Sequence, residues 1–373
     1  MTAEQMLDDA QRLAWLRLIR SENVGPVTFR HLINRFGGAE RALEALPDLS
    51  LRGGRSRPVR VCGVAEAAEE LEISRKAGAA CVAAGESGYP PRLKHIDDPP
   101  PLLHVLGFPD ATARPGIAIV GARNASSGGR QIARKLAADL GAEGYVIVSG
   151  LARGIDGAAH EGSLETGTLA VLPGGLLEIY PDIHRDLAAR IAEHGAVLSE
   201  THPHYRPRGR DFPRRNRIVS GICLGVIIVE GARRSGSLIT ARLALEQGRE
   251  VFAVPGSPLD PRSEGTNQLI RDGAVLTRNA GDVIEALTNL HEAGDRSASS
   301  IDIGEEDYGD TFTHVSDDDR TLVLQALTSV PIEIDIVIQE TGLAARIVAA
   351  AILELELAGR VHRSTGTRVS LIV

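Results

Sequence analysis

Between Arg206 and Arg217 the chain carries six arginines against one acid, Asp211. Phe212 sits among them and Tyr205 just before them. Guanidinium groups neutralise phosphates, and aromatic rings offer a stacking surface that is blind to base identity. Duplex DNA keeps those base faces hidden, so the cluster points to a single strand. A solvated basic loop, or arginines paired to acids within the domain, is the alternative reading.

Other loops carry anion chemistry. Gly121-Ala122-Arg123 follows an apolar run and leads through Asn124 toward a helix. A turn of that kind exposes amides, a helix start favours negative charge, and Arg123 adds a permanent cation. Ser149-Gly150-Leu151-Ala152-Arg153-Gly154-Ile155-Asp156 repeats the pattern. There Gly150 and Gly154 permit tight turns, and Asp156 could cap the next helix. His160 follows one helical turn later and reads as a surface or capped helix histidine. Ser235-Gly236-Ser237, preceded by Arg233 and Arg234, places hydroxyls and amides at a further helix start. Pro173-Gly174-Gly175 resembles the phosphate turn of nucleotide-cleaving Rossmann-like enzymes, but the Gly-Thr and later Glu of that pattern are missing. A nucleotide-cleaving or nucleotide-binding enzyme is the alternative function that this turn keeps open.

Several chemistries are excluded. None of the three lysines, Lys76, Lys94 and Lys135, follows a glycine, so there is no phosphate-binding loop of the ATPase type. Gly121 does not open a G-x-G-x-x-G fingerprint, which disfavours a nicotinamide cofactor. G-x-S-x-G and H-E-x-x-H are absent. Cys62, Cys81 and Cys223 form no C-x-x-C pair and read as free, packed thiols. Neither a metal nor a cofactor is expected, and the catalytic set is empty.

The elements that must position these loops are legible in outline. Residues 114–287 alternate strand and helix, with candidate strands at 117–120, 146–149, 168–172, 196–199, 225–229, 251–254 and 274–276. Uninterrupted apolar strands alternating with helices, such as 130–140 and 238–247, imply an α/β Rossmann-like, doubly wound and mainly parallel sheet. Such sheets bind ligands beyond the C-terminal ends of their strands. Residues 1–85 read as a small helical domain. Leu13, Leu16, Leu18 and Ile19 form one apolar face, and Phe29, Leu32, Ile33 and Phe36 another. The turn Asn23-Val24-Gly25-Pro26 between them suits a helix-hairpin-helix that could hold a phosphate, or a plain helical bundle. Residues 86–113 form a Pro-rich connector. Residues 288–317 form an acidic linker with the composition of a mobile segment. Residues 318–373 suggest a winged helix, with helices at 322–327, 335–340 and 344–358 and a hairpin over 361–371 whose tip is Thr365-Gly366.

The net charge of −8 argues against a nucleic-acid partner only while it is taken as a whole. Residues 289–319 hold ten acids and one arginine, a local charge of −9 that leaves the rest of the chain at +1. Local clusters then decide. No apolar run reaches membrane-spanning length and the N-terminus has no signal-peptide pattern, so a cytoplasmic location without a membrane partner is expected.

Taken in order, Gly121-Ala-Arg123, Ser149 to Asp156, Phe212-Pro-Arg214-Arg215-Asn216-Arg217, Ser235-Gly-Ser-Leu-Ile-Thr240, Val254-Pro-Gly256 and Gly265-Thr-Asn267 resemble the DNA processing protein A (DprA, or Smf) family. The match spans about residues 86–280. The resemblance implies a bacterial, non-enzymatic homodimer that binds single-stranded DNA during natural transformation and helps to load the RecA recombinase. It also implies a sterile-alpha-motif-like N-terminal domain and a C-terminal winged helix. Arg123 matches the family's DNA-contacting loop arginine, and Phe212 and Arg217 match its pocket aromatic and arginine. Ala122 departs from the usual Ser or Thr and lacks that hydroxyl. On this basis the expected DNA-binding set is Gly121, Arg123, Ser149, Gly150, Arg153, Gly154, Phe212, Arg214, Arg215, Asn216, Arg217, Ser235, Gly236 and Ser237. The tail's third helix carries Arg346 but also Glu354 and Glu356, which argues against major-groove reading and for protein contact.

Overall fold

The expected strands form as short apolar runs, with Gly116–Gly121, Val146–Ser149 and Ala196–Ser199 ending at glycine or serine and Thr168–Val171 and Glu250–Ala253 running into proline. The computed structural model describes residues 6–297, 315–363 and 367–372. Four helices come first: α1 (Asp9–Arg20), α2 (Pro26–Phe36), α3 (Ala39–Arg52) and α4 (Val64–Lys76). Then come β1 (Ala79–Ala83), β2 (Leu102–Gly107), β3 (Gly116–Gly121), α5 (Ser127–Ala142), β4 (Val146–Ser149), α6 (Ile155–Ser163) and β5 (Thr168–Val171). They are followed by α7 (Arg185–His194), β6 (Ala196–Ser199), α8 (Asp211–Ile222), β7 (Cys223–Val229) and α9 (Gly236–Glu246). Next are β8 (Glu250–Ala253), α10 (Glu264–Arg271), β9 (Val275–Leu276) and α11 (Ala280–Ser297). The tail contains α12 (Asp317–Ala326), β10 (Ile332–Glu333), α13 (Ile334–Thr341), α14 (Ala345–Leu357), β11 (Val361–Arg363) and β12 (Arg368–Leu371).

The chain divides into two units. One, built mainly on Glu72–Ile96 and Leu102–Ile301, holds a sheet of order β1-β2-β6-β5-β4-β3-β7-β8-β9. From β6 to β9 every pairing is parallel. Winding runs outward from β3 through β4, β5 and β6, then restarts at β7 on the other side of β3. The crevice between β3 and β7 is therefore the switch point, where open α/β sheets bind ligands. Alternation along β3 explains the double cover. Ala118 and Val120 pack with Ile218, Val219 and Ile222 of α8, while Ile117 and Ile119 pack with Leu136 of α5 and Ile155 of α6.

Two sequence boundaries differ from the structure. The helical region 1–85 and the connector 86–113 together contribute β1 and β2, which extend the sheet antiparallel beyond β6. Their prolines flank the strands rather than interrupt them, so β2 keeps its ladder. The acidic linker begins inside α11, which runs to Ser297, and residues 298–314 lie outside the described residues.

The second unit joins the two ends of the chain. Helices α12, α13 and α14 with the sheet β10-β12-β11 make the expected winged helix. The proposed hairpin tip at Thr365-Gly366 lies outside the described residues. Leu353 and Leu357 of α14 enter the same core as Leu18, Phe29, Leu32 and Leu46 of the N-terminal helices. The hairpin that could have held a phosphate is engaged here, because Asn23 donates through Nδ2 to the carbonyl of Leu357 at 2.9 Å. Arg320 donates to the carbonyl of Arg52 at 2.8 Å. A Cβ on Gly53 would overlap the carbonyl oxygen of Glu354, so glycine is needed for this approach.

Candidate nucleic-acid interface

At the switch point a cleft of about 990 Å³ opens between the loop after β3 and the loop after β7. Arg123 is exposed there, and its guanidinium lies over the ring of Phe212 with 4.9 Å to the centroid. Phe212, in the first turn of α8, meets Tyr180 edge to face at 5.5 Å between centroids. Cation and rings so placed can take an anion and an unpaired base together.

The expected residues divide. Gly121, Arg123, Gly150, Phe212, Arg215 and Asn216 line the cleft, as do Ser235, Gly236 and Ser237 at the start of α9. Ser235 caps that helix by accepting from the amide of Ser237. Ser149, Arg153, Gly154, Arg214 and Arg217 lie outside the lining. Ser149 is buried and donates to the carbonyl of Ile119 at 2.6 Å, which ties β4 to β3. Arg153 is exposed, and Arg214 reaches Glu200 at 3.4 Å.

The arginine run is a helix from Asp211 onward, and helical phase sorts its charges. Arg215 shares a face with Ile218, Val219 and Ile222 and is buried. Its Nη1 donates to the carbonyls of Gly150, at 2.7 Å, and Val171. Burial pulls its pKa down to about 10, while the neighbouring Asp156 carboxylate acts in the opposite direction. Arg217 is also buried, with its side chain 5% exposed, and meets Glu200 at 2.7 Å. Arg208 and Arg210 face solvent without an ion pair among the described residues.

Two of the anion-type loops hold internal carboxylates. Glu230, at φ 54°, accepts from the amide of Ser126 at 2.8 Å and from its hydroxyl, and so occupies the start of α5. Asp156 accepts from the amides of Gly150 at 3.1 Å and Ala152 at 3.3 Å. Its own pKa is raised by burial, against the pull of Arg215. The glycines therefore serve close packing. A Cβ on Gly121 would overlap the carbonyl oxygen of Val229, and one on Gly150 would lie 2.5 Å from a guanidinium nitrogen of Arg215. Gly154 has φ 83° and leaves no room beside the carbonyl of Ala122.

His160 is not a surface residue. It is buried in α6, its Nδ1 lies 2.7 Å from the Thr168 hydroxyl, and burial pulls its pKa down to about 3. Tyr180, Arg234 and Arg262 line the cleft without having been singled out as site residues. An aromatic in a strand-end loop was the available signal for Tyr180, and the Arg233-Arg234 pair for Arg234; Arg262 had none. Among the described residues no group of three or more His, Cys, Asp or Glu is placed to hold a metal ion. No single described helix is long and apolar enough to cross a membrane.

Residues 80–288 match the family of DNA recombination-mediator protein A, residues 9–72 a DprA-like N-terminal HHH domain, and residues 313–367 a DprA winged helix domain. Protein Smf of Escherichia coli is 40% identical over 293 residues, covering 76% of this chain and 75% of the relative. DNA processing protein DprA of Bacillus subtilis is 44% identical over 220 residues, covering 58% of this chain and 74% of the relative. The X-ray structure of DprA from Streptococcus pneumoniae superposes with a TM-score of 0.55 at 34% identity, covering 69% of this chain and 97% of that one. A Helicobacter pylori DprA structure, described for its single-stranded DNA binding mode, superposes with a TM-score of 0.51 at 30% identity, covering 58% and 96%.

Proposed function

Because this chain belongs to the DprA/Smf family of DNA recombination mediators, we propose that it binds single-stranded DNA without sequence preference, through the cleft between β3 and β7. The observation that carries the reading is Arg123 lying over Phe212 at 4.9 Å in an open cleft. A strand entering there meets the Arg123 guanidinium, backed by the Phe212 ring, as a flat permanent cation that can pair with phosphate or stack with a base. Arg208, Arg210, Arg214 and Arg234, all exposed, extend the positive rim. Arg153, on the loop after β4, adds to it. Arg215 and Arg217 act from inside, by holding the loop after β4 and the segment at Glu200 in place.

The cellular role that fits is processing of incoming single strands in the cytoplasm, with transfer to the RecA recombinase. The working form is a homodimer, since two small cleft footprints on one strand give avidity that a single one lacks. A salt-titrated anisotropy assay on oligothymidylate and on duplex of the same length tests the binding claim. Single strands should bind more tightly, and affinity should fall steeply with salt. Equal affinity for duplex, or no salt dependence, removes the proposal. Light scattering that shows only monomer at micromolar concentration removes the dimer.

A further inference from the structure

Tyr180 has no task in the fold that its surroundings reveal. It is 50% exposed, and its hydroxyl makes no hydrogen bond among the described residues. A tyrosine kept for packing would bury its ring and give its hydroxyl a partner. The loop that carries it is nevertheless tightly anchored. Gly175 donates to the carbonyl of Tyr205 at 2.9 Å, and Leu177 to that of Pro203 at 2.9 Å. Ser199 donates to the carbonyl of Gly174 at 2.7 Å. These bonds tie the loop after β5 to the segment that runs into α8, and so hold Tyr180 beside Phe212 at the cleft.

The two rings meet at 74°, so they do not stack on each other. One wall of the cleft thus offers two aromatic groups whose planes differ, with Arg123 over only one of them. We propose that Tyr180 is a second base-stacking platform, which takes the base next to the one received at Phe212. The inference rests on the single-strand reading above and deepens it: the cleft engages two successive bases of any identity. Stacking explains why the loop that presents a half-exposed ring is anchored, and the missing hydroxyl bond fits a role in which the ring alone matters.

The test uses the full chain with oligothymidylate and with an abasic strand of the same length. Tyr180→Ala should weaken binding to oligothymidylate by about tenfold, the scale of one base–aromatic stack. Tyr180→Phe should bind like the parent. Neither change should affect the abasic strand, which has no base to stack. In a Phe212→Ala background Tyr180→Ala should still cost about the same factor, because each ring serves its own base. Parent-like binding by Tyr180→Ala overturns the inference. So does a loss that vanishes once Phe212 is gone, which makes Tyr180 only a support for Phe212, and so does an equal loss on the abasic strand. Absence of single-strand binding by the parent protein overturns the functional reading and this inference together. Normal parent binding with an inert Tyr180→Ala overturns this inference alone.

Discussion

Arg123 and Arg217 come from the same sequence argument, yet the structure gives them opposite work. Arg123 is exposed and lies over Phe212, while Arg217 is buried against Glu200. Replacing each with alanine should therefore change different observables. Arg123→Ala removes one phosphate neutraliser, so the slope of log affinity against log salt should fall by about 0.7, the contribution of one contact on a single strand. Its stability cost is bounded by an exposed cation–π contact, about 0.5–1 kcal/mol. Arg217→Ala leaves Glu200, whose side chain is only 11% exposed, beside the more distant Arg214 at 3.4 Å. Removing one partner of a buried pair costs about 3–5 kcal/mol, and the remaining arginine favours the lower end. For a unit of this size about 3 kcal/mol corresponds to a fall in Tm of roughly 6–12 °C. Thermal unfolding and salt-titrated anisotropy on oligothymidylate, run on both variants, separate the two roles. The reasoning fails if Arg217→Ala lowers the salt slope at unchanged Tm, or if Arg123→Ala lowers Tm by as much as Arg217→Ala does.

Two further outcomes follow from packing and burial. Gly53→Ala would drive a methyl group into the carbonyl oxygen of Glu354, so α3 and α14 should both lose hydrogen-exchange protection, at a cost of about 1–3 kcal/mol; protection lost in α3 alone would refute the shared core. His160 has its pKa depressed from 6.5 to about 3 in the folded state, so stability present above pH 6.5 should be lost as pH falls toward 3, by roughly 2 kcal/mol at pH 5. Denaturant melts of the parent and of His160→Gln check this, and an equal acid loss in both would refute it.

The sheet could be read from the sequence because the parallel strands inside the edge strand β9 are buried on both faces, which forces a continuous apolar run ending at a turn. β2 escaped because Tyr89-Pro90-Pro91 and Pro99-Pro100-Pro101, which both precede it, give the segment between β1 and β2 the composition of a connector, and short antiparallel additions carry no crossover helix to mark them. The joining of the chain ends escaped for a different reason. α14 is apolar on more than one face, the pattern of a helix packed from two sides. Its glutamates drew attention as groups that repel DNA. Glu354 instead lies buried, 3.4 Å from Arg320 and beside Gly53. The core between α14 and the N-terminal helices depends on residues more than 300 positions apart, such as Phe29 and Leu353, and periodicity within either segment does not name its partner.

At the cleft, residue types were more legible than their division of labour. Charge composition marks 206–217 as basic, but only helical phase separates Arg214 from Arg215, and that phase was visible in the apolar spacing of Ile218, Val219 and Ile222. The glycines have a cause other than the one their sequence suggests. They look like room for a phosphate, whereas Gly121 and Gly150 make room for a neighbouring strand and a buried guanidinium. Glu230 and Asp156 then satisfy amides that an empty anion loop would have left open. Those carboxylates keep the loops rigid before any ligand arrives, and they leave binding to the side chains above them. If the cleft takes a single strand as proposed, it would hold it through guanidinium groups and ring faces rather than through a backbone cradle. That predicts a site tolerant of base identity and sensitive to salt, the combination that a protein handling arbitrary single strands requires.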